Sequence, residues 1–433
     1  MAFSDFRTKE FLALAGLALL LRISFLGSYD HAPVSDEKDY LELAVNFVAT
    51  GSYSLGGEPT AFRPPGYPAF LAVVQLIFGQ SITAIRIVQM FLDIGIVAGL
   101  YLLGFRFGRT TGLVAGLAWA LFPPAIIYSG LILSETLSAF LLVLLFATLT
   151  FKPFPATTMR SFAAGLIAGV LILVKSWIVL FAAGLLCFFW IRVRSRSMAL
   201  LFGSGILLVV APWMVRNVTV FGTPVISTNS GINLYMGNNP EATGAYKAGL
   251  PDTLLAASSD ELKYQRLSLS LAIDHIVENP GVFVQRIPVK VAHMFRSEGE
   301  LLVWAFHPNI RDKSISFSDK YRILPIILTI GVNILYAFIL LAGIAGLLRF
   351  RSDEVSSLVL VFFGSLLAIH ALFFGGSRFH FLLMPLMAFA TARLLPNIRN
   401  FWAELSLTGR ISFIMTTSFL VSVWILEFTY VFS

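Results

Sequence analysis

Charge is scarce in this chain. Only 13% of its 433 residues are Asp, Glu, Lys or Arg, well below the roughly 25% of ordinary soluble domains. Hydrophobic residues make up 57%, and 40 of them are Phe. That shortage excludes a soluble globular protein and leaves a polytopic membrane protein. Cysteine is scarcer still: Cys187 stands alone, so an internal disulfide and a Cys-based metal site are both excluded. It lies in an apolar run, where it reads as a small core residue. There is no Walker loop and no dinucleotide fingerprint, which excludes a soluble nucleotide as energy source. His275, His293, His307, His370 and His380 lack close ligand spacing such as HExxH. No structural metal and no certain cofactor is therefore expected, although a divalent ion as an assistant stays open. Internal repeats, coiled-coil heptads and low-complexity tracts are missing. The formal charge of +7 is spread between apolar runs rather than along a basic stripe, so nucleic acid is not an expected partner.

What the chain has is long apolar runs. Crossing a hydrocarbon core of roughly 30 Å takes about 20 helical residues. Runs of that order occupy 11–26, 82–105, 113–128, 136–150, 162–174, 177–191, 199–214, 323–348, 355–374, 382–395 and 411–431, about eleven transmembrane helices. Arg7 and Lys9 precede the first run, but no small-residue cleavage site follows and Arg22 interrupts it late, so it reads as a retained span. With this register the joints Arg106/Arg109, Lys152/Arg160, Arg192/Arg194/Arg196, Arg349/Arg351 and Arg393/Arg399/Arg410 all fall on the side of the N-terminus. The excess of cations on cytoplasmic loops then orients the chain, with a cytoplasmic N-terminus and the chemically interesting loops outside. The expected location is the plasma membrane, the inner membrane of a bacterium.

Three parts are expected: an N-terminal transmembrane module over 1–214 with a first external loop at 29–81, an external segment over 215–322, and C-terminal spans over 323–433. In the first loop, Tyr40, Leu43, Ala44 and Phe47 recur at helical spacing, which predicts a helix on the membrane surface over 33–50. The apolar run 68–78 is about half a span and reads as an interfacial or re-entrant helix. In the external segment, "DELKYQRLSLSLAIDHIVENP" predicts a capped helix stopped by Pro280, and the whole a small external α domain.

The candidate site residues collect at the outer ends of the spans. Asp36 and Glu37 follow Ser35, a candidate N-cap. Acids there offset the helix dipole, and a carboxylate so placed also suits a general base. Glu135 in "LILSETLSAF" is an acid among leucines at a span end, either a rim acid or a group with a task. Arg63 in "AFRPPGYP" is held by Pro64 and Pro65. Its guanidinium suits a phosphate, with snorkelling toward lipid headgroups as the competing reading. Arg216 and Arg378 end spans where the charge rule gives them no role, and are reserve phosphate binders; Lys175 is a weaker one. Arg86 and Asp93 are read as partners for neighbouring spans. Tyr40, Tyr67, Asn233, Asn238 and Asn239 are candidate sugar or acceptor contacts, although the turn-forming habits of Asn and Gly explain much of the asparagine signal.

The acidic pair Asp36-Glu37, "RPPGYP" from Arg63, "SET" from Ser134, "PWMVRN" from Pro212, "GINLYMGNNPEATG" from Gly231 and "SRFHFLLMP" from Ser377 occur in this order over most of the chain. In this the chain resembles the C-type (GT-C) membrane glycosyltransferases, in the bacterial branch related to protein O-mannosyltransferases and lipid A aminoarabinose transferase. The resemblance implies a GT-C fold and transfer of a sugar from a polyprenyl-phosphate donor to a lipid, glycan or protein acceptor on the outer face, with inversion. By it Asp36 would be the base, Arg63 would bind the donor phosphate and Glu135 would match the second-loop acid. Where relatives often carry an acid and a lysine before the prolines, this chain has Ala61-Phe62-Arg63, which keeps the cation and drops the acid. Two rivals stay open: a lipid or glycolipid transporter or flippase, and an envelope polysaccharide ligase or polymerase.

Overall fold

Almost every apolar run becomes a helix. The computed structural model describes residues 8–151, 158–246, 250–306, 326–351 and 353–432. The expected roles of Arg7, Lys152, His307 and residues 323–325 lie outside the described residues. Among the described residues, extended pairing is confined to the antiparallel hairpin Ser54–Leu55/Glu58–Pro59 and a bridge between Ala245 and Gly375. The molecule is an all-α multi-pass membrane protein.

In chain order the helices are α1 (Thr8–Ser28), α2 (Asp36–Thr50), α3 (Gly66–Phe78), α4 (Ile82–Phe105), α5 (Arg109–Ala120), α6 (Pro123–Gly130), α7 (Glu135–Thr150), α8 (Thr158–Val174), α9 (Ile178–Cys187), α10 (Arg196–Phe221), α11 (Ser230–Gly237), α12 (Asp252–Ala257), α13 (Glu261–Glu278), α14 (Pro280–Met294), α15 (Gly299–Phe306), α16 (Ile326–Arg349), α17 (Glu354–Leu372), α18 (Met384–Leu394), α19 (Phe401–Glu404) and α20 (Leu407–Phe432). A 3-10 turn, Ser377–Leu383, leads into α18. Among the described residues six helices are, by length and composition, long and apolar enough to cross a membrane: α1, α4, α10, α16, α17 and α20. The bent pair α5/α6 and the chain from Ser377 to Glu404 raise this to eight. The described parts of the expected apolar runs are largely helical, with 113–128 broken between α5 and α6, but α7, α8 and α9 belong to the shorter class of 10–17 residues, so length alone does not make eleven spans. The bend of 52° between α5 and α6 has a local cause: Pro123 and Pro124 have no N–H to continue the ladder.

That bend leaves carbonyls without helical partners inside an apolar bundle, where they are costly. Arg22 of α1 fills the gap. It is fully buried, donates to the carbonyls of Trp119 and Ala120, and places Nε 2.7 Å from Asp93 Oδ2 of α4. Trp119 Nε1 donates to the other Asp93 oxygen at 2.8 Å. Asp93 thus pairs with a neighbouring span. Arg86, read the same way, instead donates to the backbone oxygens of Gly130 and His31, at 2.9 and 2.6 Å.

Small residues set how closely the helices pack. A Cβ on Gly165 of α8 would lie 2.1 Å from the Phe202 oxygen of α10, and one on Gly205 would lie 2.5 Å from the Phe162 oxygen. Only glycine allows that approach. Cys187, expected in the core, is exposed at the end of α9. At the end of the bundle where α1 starts and α16 ends, Arg109 meets Glu10, Arg349 meets Glu404 and Arg393 meets Asp353. The expected boundary after 214 falls inside α10, which runs on to Phe221.

Candidate active site

At the opposite end, five segments distant in sequence converge. The first is the turn into α2. Ser35 sits at the N-cap position but with φ 48 and no side-chain cap bond, a backbone conformation that costs energy in a residue with a Cβ. The helix start is secured by Glu37 instead. Glu37 is fully buried: Oε1 accepts the Ile132 N–H at 2.8 Å, while Oε2 accepts the Val34 N–H at 3.1 Å and lies 2.7 Å from His31 Nε2. Glu37, expected to share catalysis with Asp36, uses its oxygens to bind α2 to the α6–α7 junction. Asp36, one residue earlier on the helix, points to a different face.

Arg63 is the second component. Its loop is held on three sides. Tyr53 Oη donates to the Arg63 and Pro64 oxygens. Arg216 Nη1 and Nη2 donate to the Thr60 and Tyr53 oxygens at 2.8 and 3.1 Å. Glu261, the first residue of α13, accepts from Thr60 Oγ1 at 2.6 Å, Ala61 N–H at 2.8 Å and Thr228 Oγ1 at 2.5 Å. Gly66 then lets the chain touch the end of α8, since a Cβ there would sit 2.7 Å from Leu173 and Val174 backbone atoms. Lys175 follows immediately, so this contact brings the Arg63 loop beside it.

Arg378 completes the set. Lys290 of α14 is fully buried and donates to Asn238 Oδ1 at 2.8 Å and to the Ala371 and Leu372 carbonyls at 3.2 and 3.1 Å, closing the end of α17. On the far side of Arg378, His380 is anchored to the Met294 carbonyl at 2.6 Å and to Glu298 at 2.9 Å. Ser377 Oγ donates to Glu300. The guanidinium between these anchors has a fixed origin.

These parts form one chain of alternating charge. Asp39 Oδ2 lies 2.8 Å from Arg63 Nη2, which lies 2.9 Å from Asp36 Oδ1. Asp36 Oδ2 lies 2.7 Å from Arg378 Nη1. Arg378 then grips both oxygens of Glu135 through Nε and Nη2, and Glu135 meets Lys175 Nζ at 3.1 Å. Glu135 is 2% exposed, whereas Asp36 and Arg63 remain about one-fifth open. Burial alone would lower the Arg63 pKa, but Asp36, Tyr40 and Asp39 outweigh it and hold the guanidinium above its ordinary value. Burial pushes Lys175 down, against the pull of Glu135. Burial likewise raises Tyr40, whose ring lies 5.6 Å below the Arg63 guanidinium. Two small hollows flank Arg378, one walled by Trp177, Phe379 and Leu382, the other by Tyr128, Trp304 and Glu300.

Several expected contacts are elsewhere. Tyr67 is fully buried, its hydroxyl donating to Gln89 Oε1 at 2.7 Å and its ring packed edge-on against Tyr40. Arg216 binds backbone and lies over Trp213 at 4.9 Å, which makes it a clamp on the Arg63 loop and not a further member of the charge chain. Asn238 is buried on Lys290 and the Leu234 and Leu372 carbonyls. Asn239 caps its own turn through Tyr235 and Glu241. Asn233 is half-buried on α11. Sequence reasoning missed Asp39, Glu261 and Lys290. Asp39 had a signal: it stands three residues after Asp36, on the same helix face. Among the described residues no group of three or more His, Cys, Asp or Glu is placed to hold a metal.

Residues 62–215 match the family model described as dolichyl-phosphate-mannose-protein mannosyltransferase. This stretch includes Arg63, Glu135 and Lys175. Two crystal structures of ArnT from Cupriavidus metallidurans are similar to the chain at 15% identity, one bound to undecaprenyl phosphate and one in the apo state. They cover 90% of this chain, with TM-scores of 0.47 and 0.44 over 79% and 78% of their own lengths. No curated protein matches.

Proposed function

We propose that this protein is a glycosyltransferase that moves a sugar from a polyprenyl-phosphate carrier to an acceptor hydroxyl at the extracytoplasmic face of the plasma membrane. The observation that carries the reading is Asp36 bridging Arg63 and Arg378, with Glu135 and Lys175 behind. A partly open carboxylate held between two guanidinium groups is what transfer from a glycosyl phosphate needs. Asp36 takes the acceptor proton as the acceptor oxygen bonds to the anomeric carbon. The bond from that carbon to the phosphate oxygen breaks, its electron pair staying on the phosphate, and protonated Asp36 then returns its proton to water. Attack opposite the leaving group inverts the anomeric centre.

The leaving phosphate is an acceptable anion, so no acid is required, unlike the paired carboxylates of glycoside hydrolysis. The cations act where charge grows, and removing one positioned donor of this kind costs about 100- to 1000-fold in rate. The transporter reading draws on ionisable groups within spans. Here the pair Arg22–Asp93 is fully enclosed with its donors and acceptors engaged, which fits a structural brace.

The test is purified protein in lipid vesicles with a panel of radiolabelled polyprenyl-phosphate sugars, native chain against Asp36→Asn. Sugar should leave one of the carriers with the native chain only. Equal transfer by both would remove Asp36 from this role.

A further inference from the structure

The charge chain is balanced by its own side chains: Asp36, Asp39 and Glu135 against Arg63, Lys175 and Arg378. A phosphate that takes N–H groups now aimed at a carboxylate must displace that carboxylate. The three acids are not equally placed. Glu135 is 2% exposed and is shared by Arg378 and Lys175, so displacing it would strand a buried charge, the costly outcome. Asp39 engages Arg63 alone. Asp36 is the acid whose two oxygens are divided between both arginines, at 2.9 and 2.7 Å, and each arginine keeps a second carboxylate when it leaves. Two oxygens of a phosphate span nearly the same gap as two oxygens of a carboxylate. The prongs now aimed at Asp36 are therefore already spaced for the ligand.

We propose that donor phosphate and Asp36 compete for the same guanidinium N–H groups of Arg63 and Arg378, so that the base is inhibited by its own clamp until the donor binds. This rests on the reading of the site as a lipid-phosphate sugar transferase. While Asp36 bridges the arginines its oxygens are committed to charged donors and are poor proton acceptors. When phosphate takes its place, the carboxylate is released beside the sugar. Donor therefore binds first and the acceptor second, and an acceptor that arrives early meets no base. After transfer the same exchange runs backward. The carrier leaves as a phosphate monoester with more negative charge than the donor it came from, and would be retained by two arginines. Asp36, once it has lost the acceptor proton to water, returns and helps to expel it.

The exchange can be read separately from the chemistry by equilibrium binding of radiolabelled undecaprenyl phosphate to the full chain in lipid vesicles, with undecaprenol as the uncharged control. Asp36→Asn and Asp36→Ser should bind the phosphate about tenfold more tightly than the native chain, because a competing anion is gone, although neither transfers sugar. Equal or weaker binding by variants that have lost transfer would overturn the exchange and leave the base role intact. Binding of undecaprenol as tight as that of the phosphate by the native chain would overturn the exchange and the donor reading together. A second measurement needs no variant. In native protein carrying carboxyl-¹³C aspartate, undecaprenyl phosphate should shift a carboxylate band in the infrared difference spectrum as one aspartate loses two guanidinium partners. Aspartate bands unmoved by saturating phosphate would overturn it.

Discussion

Replacing Glu37 by Gln separates two neighbouring acids that the sequence presents as a pair. Glu37 offers two oxygens to two backbone donors, Ile132 N–H at 2.8 Å and Val34 N–H at 3.1 Å, with His31 on the same oxygen as Val34. A glutamine has one acceptor oxygen. Whichever way the amide turns, its NH₂ faces one of those N–H groups, and a buried donor is left unpaired. Such a group costs about 1–3 kcal/mol, toward the upper figure where the lost acceptor was charged. The site is fully enclosed, so water cannot take over the bond. Thermal unfolding in detergent or lipid should show a lower midpoint for Glu37→Gln, while sugar transfer per folded molecule stays within a few-fold of native. Asp36→Asn should behave in the opposite manner, unfolding close to native and losing transfer. If Glu37→Gln unfolds like the native chain and loses transfer as completely as Asp36→Asn, the assignment of Glu37 to architecture is wrong.

Four further outcomes are expected. Glu261→Ala removes the acceptor for Thr60, Ala61 and Thr228 and loosens the Arg63 loop, so the donor KM should rise about tenfold with a smaller change in kcat; Glu261→Gln should recover part of it, and a pure kcat effect would contradict the positioning role. Arg22→Leu leaves Asp93 buried beside Trp119 alone and should cost about 3–5 kcal/mol of stability, much of it regained in the double variant Arg22→Leu/Asp93→Leu; additive losses would show that the pair is not coupled. Burial, then Arg296, hold His293 down to about 4 against an ordinary 6.5. The unfolded chain therefore binds the extra proton first, and stability should fall as pH drops from about 6.5 to about 4. A pH series of unfolding midpoints in which His293→Gln has a slope as steep as native would assign that loss to another group. Gly66→Ala drives a methyl into the Leu173–Val174 backbone, so expression or melting temperature should fall together with donor affinity; native behaviour would mean that the α3–α8 contact relaxes at little cost.

The helices were legible because length and apolarity are local properties. The runs 82–105, 355–374 and 411–431 needed no tertiary information to become α4, α17 and α20. Two limits of that reading are physical. The runs 136–150, 162–174 and 177–191 are short enough that their helices' lengths do not decide whether they span, and Cys187 faces outward although its neighbours in sequence are as apolar as any core. Phe47, placed by its spacing on the apolar face of α2 with Tyr40, Leu43 and Ala44, is exposed while those three are buried. At the site, Asp36, Arg63, Glu135 and Arg378 were each visible as a charge out of place in an apolar chain. That Arg378 closes on an aspartate 342 positions earlier was not, since only packing decides it. Adjacent residues could not be told apart either. Asp36 and Glu37 have the same chemistry in sequence, and a helical step of about 100° sends one to the arginines and the other into the protein. Arg216 carried the same outward signal as Arg378, yet the backbone of the first loop stands between it and the other cations.

The account rests on a base and a cationic clamp sharing one pocket that a lipid phosphate enters from the side. It is tested most directly by photo-crosslinking the native chain in lipid vesicles with an undecaprenyl phosphate carrying a diazirine next to the phosphate, and sequencing the labelled peptides. Label should fall on the segments around Asp36, Arg63, Lys175 and Arg378, and be reduced by unlabelled undecaprenyl phosphate. Label that competes in the same way but falls at the opposite end, near Arg109, Arg349 and Arg393, would contradict it.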